Sequence, residues 1–457
     1  MRKRLTWAGI AVAALLTTTS ACGMSGSGGA KSDSGGSMVG NCKVGKEVAG
    51  DGELSGKPKG EIVFQTTNLK KDFAGYFQPV IDAFEKQNPG TKIKWIDDPG
   101  SADFTQQLVA KANACRLPDV LNLNIETAVA LTKANFLLDF DKKVPDAGKP
   151  FIPSIWNSVK IPGADGHTIL PWYWSPGVLT YNTELAAKAG IDPANPPKSV
   201  LEWLDQAGQV AEKSDGKYFA MLANPRFVTV DQWNALGVKA LTPDGKRFAF
   251  SSDPLAKQWL TKWKELYQSG AMPKDSLASE EDPSVRFTEG KLVWGSPNPS
   301  FLRNVQQNSP KLYPKTDVAP FPFSNGAAYD GQYITVPKTS ENAATAVAFA
   351  RFLLNAENQT NWSKDPKVVV FPTTSESLKD PFFTTPSDVK GAFGKARTIA
   401  AQEAAGAQMA TLKLKWGPVI GQKVAAEFQL AMKGDKSVDQ ALKDAENAAN
   451  AVLEQSE

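Results

Sequence analysis

The stretch His167-Thr-Ile-Leu-Pro-Trp-Tyr-Trp-Ser-Pro-Gly-Val-Leu-Thr-Tyr-Asn182 decides how this chain is read. Trp172, Tyr173 and Trp174 are consecutive and lie between Pro171 and Pro176. Ile169 and Leu170 before them, and Val178, Leu179 and Tyr181 after them, carry strand propensity. In an extended chain successive side chains point to opposite faces, so three adjacent rings cannot enter one core. The pattern predicts an extended segment passing between two lobes. Trp172 and Trp174 share the face toward a cleft, and Tyr173 takes the other. The alternative is a strand that feeds its rings into ordinary cores, because aromatic side chains usually pack.

Working outward toward the N-terminus, Glu61-Ile-Val-Phe-Gln65 reads as a strand, followed by a polar loop with Asn68. Phe73, Tyr76, Phe77, Val80, Ile81 and Phe84 recur at helical spacing, with Pro79 either starting or kinking the helix. Thr91 to Ile96 alternates as a second strand, Asp103 to Ala114 is a helix, and Pro118 to Leu123 is a buried third strand. A helix from Thr127 to Ala134 follows. This βαβαβα rhythm predicts an α/β fold, with a parallel sheet covered by helices.

Several local motifs then resemble one family in order and spacing. They are Phe84 to Ile93, Leu117-Pro-Asp-Val, Asn135 to Asp139, Tyr181-Asn-Thr-Glu-Leu185, Phe287-Thr-Glu-Gly290, Asp317 to Phe321, Tyr329 to Ile334, Phe371-Pro-Thr373 and Ser437 to Leu442. The body from Glu61 onward resembles the family 1 extracellular solute-binding proteins, the maltose-binding-type receptors of ABC importers. The resemblance implies a two-lobed periplasmic-binding-protein-like fold of type II with the ligand between the lobes. The expected division is residues 61–172 with 327–373 in one lobe, and 173–326 with 374–457 in the other.

The resemblance also implies positions that would touch ligand. Asn224 and Arg226 match a ligand-facing loop of the second lobe, Tyr329 and Asp330 the loop before a return strand, and Trp416 a late aromatic. At Asn298 the family has Gly-Pro-Trp, whereas this chain has Pro297-Asn298-Pro299. The usual stacking indole is absent there, and Trp294 upstream is the candidate substitute. The residues themselves add Trp172, Trp174 and Ser175 in the crossing, with Asn68, Asn124 and Glu126 just past strand ends, where open α/β sheets place ligands. Aromatic faces stack on sugar rings, while amides, carboxylates and guanidinium groups satisfy the hydroxyls. Trp203, Trp259 and Trp263 fall at helical spacing and read as core.

No catalytic constellation stands out. The one His is His167, read as a solvated turn residue, and no G-x-S-x-G elbow accompanies it. Gly40 to Glu47 imitates a phosphate loop but has Glu47 where Ser or Thr would hold magnesium. Glu280-Glu281-Asp282 could serve a glycosidase but suits an acidic helix start. No metal or other cofactor is expected.

At the N-terminus, Arg2, Lys3 and Arg4 precede an apolar run from Leu5 to Leu16, an export signal too short to span a bilayer. Thr19-Ser-Ala-Cys22 resembles the bacterial lipobox, with Thr19 where Leu is preferred, and implies lipidation of Cys22. Residues 23–60, rich in Gly and Ser, read as a flexible tether. Without Arg2, Lys3 and Arg4 the mature chain carries 48 basic and 48 acidic residues, which argues against a nucleic-acid partner. Cys42 and Cys115 remain, in an oxidising setting that favours one disulfide, with two free thiols as the alternative. The expectation is a monomeric, lipid-anchored receptor on the outer face of the membrane that passes a mono- or oligosaccharide to a permease. A receptor for a peptide or polyamine, or a secreted glycoside-processing enzyme, is the rival.

Overall fold

Strand length and burial set the central sheet. The structure is a computed structural model and describes residues 37–455, apart from 102, 176, 223, 278–282, 323–329, 386–388, 404–408 and 410. Among the described residues there are ten strands. β1 (Met38–Val39) and β2 (Cys42–Lys43) pair as a short ribbon. Then come β3 (Gly60–Thr67), β4 (Thr91–Asp98), β5 (Val120–Leu123), β6 (Leu170–Ser175) and β7 (Val178–Asn182). β8 (Thr316–Pro320), β9 (Asp330–Thr335) and β10 (Phe371–Pro372) complete the set.

Six of these form one sheet in the order β10-β6-β9-β5-β3-β4. β4 buries Ile93 and Trp95 and exposes Lys92 and Lys94, as an edge strand covered on one face should. β5 is buried at all four positions, as a central strand should be. β3 runs parallel to β4 and β5, but β9, β6 and β10 pair antiparallel. The sheet is therefore mixed where the rhythm before residue 134 predicts a parallel one, because β9, which returns from the other body, and β10 run against the remaining four strands.

Each face of the sheet has its own core. On one side the helix Lys70–Gln87 buries Phe73, Phe77, Val80, Ile81 and Phe84 against Phe349 and Trp362. Pro79 sits inside that helix and leaves the Gly75 carbonyl without its helical donor. On the other side the helices Phe104–Asn113 and Ile125–Lys133 cover Leu121, Leu123 and Tyr333. The second body is mostly helical. β7 and β8 pair with each other, and Leu292 and Trp294 make isolated bridges to Phe219 and Tyr181. Trp203, Trp233, Trp259 and Trp263 meet in its core.

The chain passes between the bodies at two close points. β6 belongs to the sheet through Ser175, and β7 begins at Val178. A Cβ on Gly177 would lie 2.9 Å from the Phe321 ring, so the first crossing needs glycine where it passes the second. A later helix, Thr411–Lys433, is broken at Gly417 (φ 56°, ψ 159°), just before Pro418. Before the break Leu414 packs into the sheet core; after it Ile420 and Val424 pack into the helical one.

The N-terminal tether ends earlier than residue 60. From Ser37 the chain is docked: Val39 and Cys42 enter one sheet core, Val48 enters the other, and Cys42 is disulfide-bonded to Cys115. Apolar side chains spaced among glycines, together with the disulfide, hold this segment down. Among the described residues no helix is long and apolar enough to cross a membrane.

Candidate functional site

A cavity of about 280 Å³ opens at the carboxyl ends of β3, β4 and β5. Its polar lining is Thr67, Ser101, Asn122, Asn124, Tyr173 and Gln332, and among the described residues no charged side chain contributes. This end of an open α/β sheet is where loops diverge and leave room for a ligand.

Each polar group reaches the cavity for a local reason. β3 ends at Thr67, and Asn68 turns the chain with φ 52°. The Asp97 carboxylate holds that turn, accepting from Thr66 Oγ1 at 2.6 Å and from the amides of Leu69 and Lys70 at 3.1 Å each. Those amides open the helix Lys70–Gln87, so the carboxylate also meets its unpaired N-terminal donors. The Thr67 hydroxyl is buried without a hydrogen-bond partner among the described residues. Asn124 caps the helix Ile125–Lys133 through its Oδ1, which accepts from the Thr127 amide at 2.9 Å. Asn122 Nδ2 donates to Gln332 Oε1 at 2.9 Å, tying β5 to β9 and orienting both amides.

Tyr173 reaches the cavity because β6 is irregular. Pro171 pairs with Tyr333 and Tyr173 with Gln332, so two steps along β6 match one along β9 and Trp172 is the extra residue. Such a bulge breaks alternation. Trp172 and Tyr173 consequently fall on the same side, with rings 4.9 Å apart and both beside Trp362. Trp174 goes to the opposite core, against Phe371.

The expectation that Trp172 and Trp174 share a face is therefore corrected. Both are fully buried, in different cores, and neither lines the cavity. Among the other residues expected to touch ligand, Asn124 lines the cavity, and Asn68 stands beside Gly100 at its edge. Glu126 is exposed on the first turn of its helix and is not part of the lining. Ser175 donates to the Val369 carbonyl at 3.4 Å. Asn224 caps the helix Pro225–Leu236, its Oδ1 accepting from the Arg226 amide at 3.0 Å. Asn298 is exposed, its side chain accepting from the Ser300 amide at 3.0 Å. Trp294 packs edge-on against Trp203, and Trp416 against Trp233, both in the helical core. Tyr329 and Cys22 lie outside the described residues, as do Glu280, Glu281 and Asp282; Asp330 opens β9, and its side chain is not described.

Thr67, Ser101, Asn122, Tyr173 and Gln332 are additions that sequence reasoning missed. Asn122 had a signal, a lone amide in the apolar run Val120-Leu-Asn-Leu123. His167 is also corrected. It is buried and stacked on Trp156 with ring centres 3.8 Å apart; its Nδ1 lies 2.8 Å from Asp141 and its Nε2 3.0 Å from the Trp156 carbonyl oxygen. These contacts make it a packing residue where a solvated turn was expected. Among the described residues no cluster of His, Cys, Asp or Glu could hold a metal ion.

Comparison with known proteins agrees with this geometry. The profile of bacterial extracellular solute-binding proteins matches residues 80–391. The chain belongs to that family. A curated solute-binding relative, described as a probable ABC transporter-binding protein of Deinococcus radiodurans, is 27% identical over 340 residues. That match covers 67% of this chain and 76% of the relative. A candidate oligosaccharide periplasmic-binding protein from Synechococcus sp. MITs9220, solved with zinc, is similar at TM-score 0.76 and 25% identity, covering 86% of this chain and 99% of that one. The cyclic α-maltosyl-1,6-maltose binding protein of Arthrobacter globiformis shares the fold at TM-score 0.66 and 22% identity, covering 87% and 100%. The solute-binding fold is two-lobed and α/β, and the family's members bind solutes outside the cell.

Proposed function

We propose that the protein captures a neutral carbohydrate between its two lobes and delivers it to the permease of an ABC importer. The observation that carries this reading is the lining of the cavity, which joins hydroxyls, amides and one tyrosine ring with no acid or base among the described residues. Sugar hydroxyls need both donors and acceptors, and an amide offers both. A polyamine would need carboxylates, which the described lining lacks, and a charged peptide would need counter-charges. The sugars named for structural relatives, maltose and cyclic maltosyl-maltose among them, support the same class. The lobes meet at the crossing after Ser175, and closure around the solute is selected by contacts with both sides. The receptor works as a monomer and makes or breaks no bond.

A thermal-shift screen against sugars, polyamines and short peptides tests the reading, because a ligand that binds only the folded state raises its melting temperature. Sugars should give the shifts. A response only to polyamines or peptides, or turnover of a chromogenic glycoside, would overturn it.

Lipidation at Cys22 is the second part of the proposal, supported by the export signal and the lipobox-like Thr19-Ser-Ala-Cys22. Cys22→Ser should move the protein from the washed membrane fraction into the medium. Retention on the membrane would refute the anchor.

A further inference from the structure

Register places a second cavity at the opposite end of the sheet. β6 starts at Leu170, opposite Ile334 near the end of β9, so Thr168 and Lys338 lie beyond the end remote from Tyr173 and Gln332. There a cavity of about 410 Å³ is lined by four lysines, Lys133, Lys246, Lys338 and Lys415, with Asp139 and Asp165. The lysines come from separate elements. Lys133 ends the helix Ile125–Lys133, Lys338 follows β9, Lys415 precedes the helix break at Gly417, and Lys246 lies in the turn before Phe248 of the helical core.

These ammonium groups are poorly compensated. Among the described residues none of the four forms an ion pair, and the one hydrogen bond they make runs from Lys338 to the Asn135 side-chain oxygen. Asp139 is engaged as a helix cap, accepting from the Lys142 amide at 3.1 Å. Burial lowers the Lys133 pKa, and the charge of Lys415 lowers it further; burial likewise lowers that of Lys338, against the nearby Asp139 and Asp165 carboxylates, which raise it. Four ammonium groups against two carboxylates leave this concavity with an excess of positive charge that a bound anion would relieve.

We propose that this cavity binds a small multivalent phosphate anion, at a site separate from the solute cavity. Its ammonium donors suit a compact anion bound as a point charge. Lys133 and Lys338 belong to elements of the sheet body and Lys246 to the helical one, so the anion would tie the sheet to the helical body.

The probe is inorganic pyrophosphate, titrated calorimetrically into the parent protein and into Lys133→Gln/Lys415→Gln. The parent should bind, with affinity falling steeply as sodium chloride is raised. The double variant should bind at least about tenfold more weakly, roughly 1.4 kcal/mol. Its melting temperature without pyrophosphate should be equal or higher, because a repulsion has been removed, and this separates loss of the site from loss of the fold. Phosphatidylglycerol vesicles added to the pyrophosphate complex distinguish two sources of the phosphate: displacement assigns a lipid headgroup, and no displacement assigns a free anion. No binding by the parent, or equal binding by the variant, overturns the proposal. Sugar binding, measured in parallel, stands or falls independently.

Discussion

Tryptophan is buried deeply in two places, and the surroundings differ. In the helical body Trp259 and Trp263 both donate their indole N–H to Gln232 Oε1, at 2.5 and 2.9 Å. Gln232 is itself fully buried, so one amide satisfies two indoles. In β6, Trp172 and Trp174 are as deeply buried, yet their indole nitrogens have no partner among the described residues. Between these two lies Tyr173, half-buried and open to the cavity. The Trp259–Trp263 pair has its polar atoms answered, whereas Trp233 and Trp416 in the same core, like Trp172 and Trp174, have none answered among the described residues; β6 uses its indoles as apolar ballast that positions a neighbour. The residue beside the indoles, held by them, is the one open to the cavity.

The largest effects should come from removing indoles on either side of that comparison. Trp259→Ala and Trp172→Ala should each lower stability by about 3–5 kcal/mol, as large-to-small changes in packed cores do. Denaturant unfolding measures this, with sugar affinity determined in parallel. Trp172→Ala should keep its affinity once folded, because the ring touches Phe77 and Trp362 and is absent from the cavity lining. A Trp172→Ala protein that melts like the parent but binds poorly would break the comparison and return β6's indoles to the site.

The second test asks what pins the sheet body alone. The Cys42–Cys115 disulfide joins the N-terminal ribbon to the end of the helix Phe104–Asn113, across 73 residues of chain. Cys42→Ala/Cys115→Ala should cost about 2–4 kcal/mol of stability, since a cross-link over a long loop restricts the unfolded chain. Labelling of denatured, unreduced protein should find neither Cys42 nor Cys115 free. Labelling of both would remove the bridge and with it the docking of residues 37–59.

The same contrast explains what was legible in advance. Trp203, Trp259 and Trp263 were assigned to a core correctly because helical spacing is a property of sequence. The α/β rhythm before residue 134 was readable for the same reason, since βαβ units are local. β6 was misread because alternation assumes a regular strand, and the bulge at Trp172 arises only when β9 pairs with it. Their partner residues lie roughly 160 positions apart, and register over that distance is set by the folded sheet. Gln332 was invisible for a similar reason: its role depends on the hydrogen bond from Asn122. Asn124 was found because a strand-ending polar residue that caps the next helix leaves a local mark.

A smaller effect is expected at Tyr173. Tyr173→Ala removes a ring that stands in the lining and should weaken sugar binding by about 1–3 kcal/mol, roughly tenfold to a hundredfold. Stability should fall less than for Trp172→Ala, because Tyr173 is only half-buried. Calorimetry on both variants sharpens the comparison: one residue should act on folding, its neighbour on binding. Equal affinity in Tyr173→Ala and the parent would move the site away from this cavity.

The smallest effect separates the two parts of the same side chain. Tyr173→Phe keeps the ring that packs beside Trp172 and Trp362 and removes only the hydroxyl. If the tyrosine serves mainly as a flat face for a sugar ring, affinity should change by less than about 0.5 kcal/mol. If its hydroxyl hydrogen-bonds the solute, the loss should be about 0.5–1.5 kcal/mol, the net worth of one neutral hydrogen bond. The stacking reading is favoured here, because Asn122, Asn124 and Gln332 already supply amide groups around the ring. A loss in Tyr173→Phe as large as in Tyr173→Ala would show that the hydroxyl, and not the face, does the recognising, and the cavity would then read its ligand by hydrogen bonds alone.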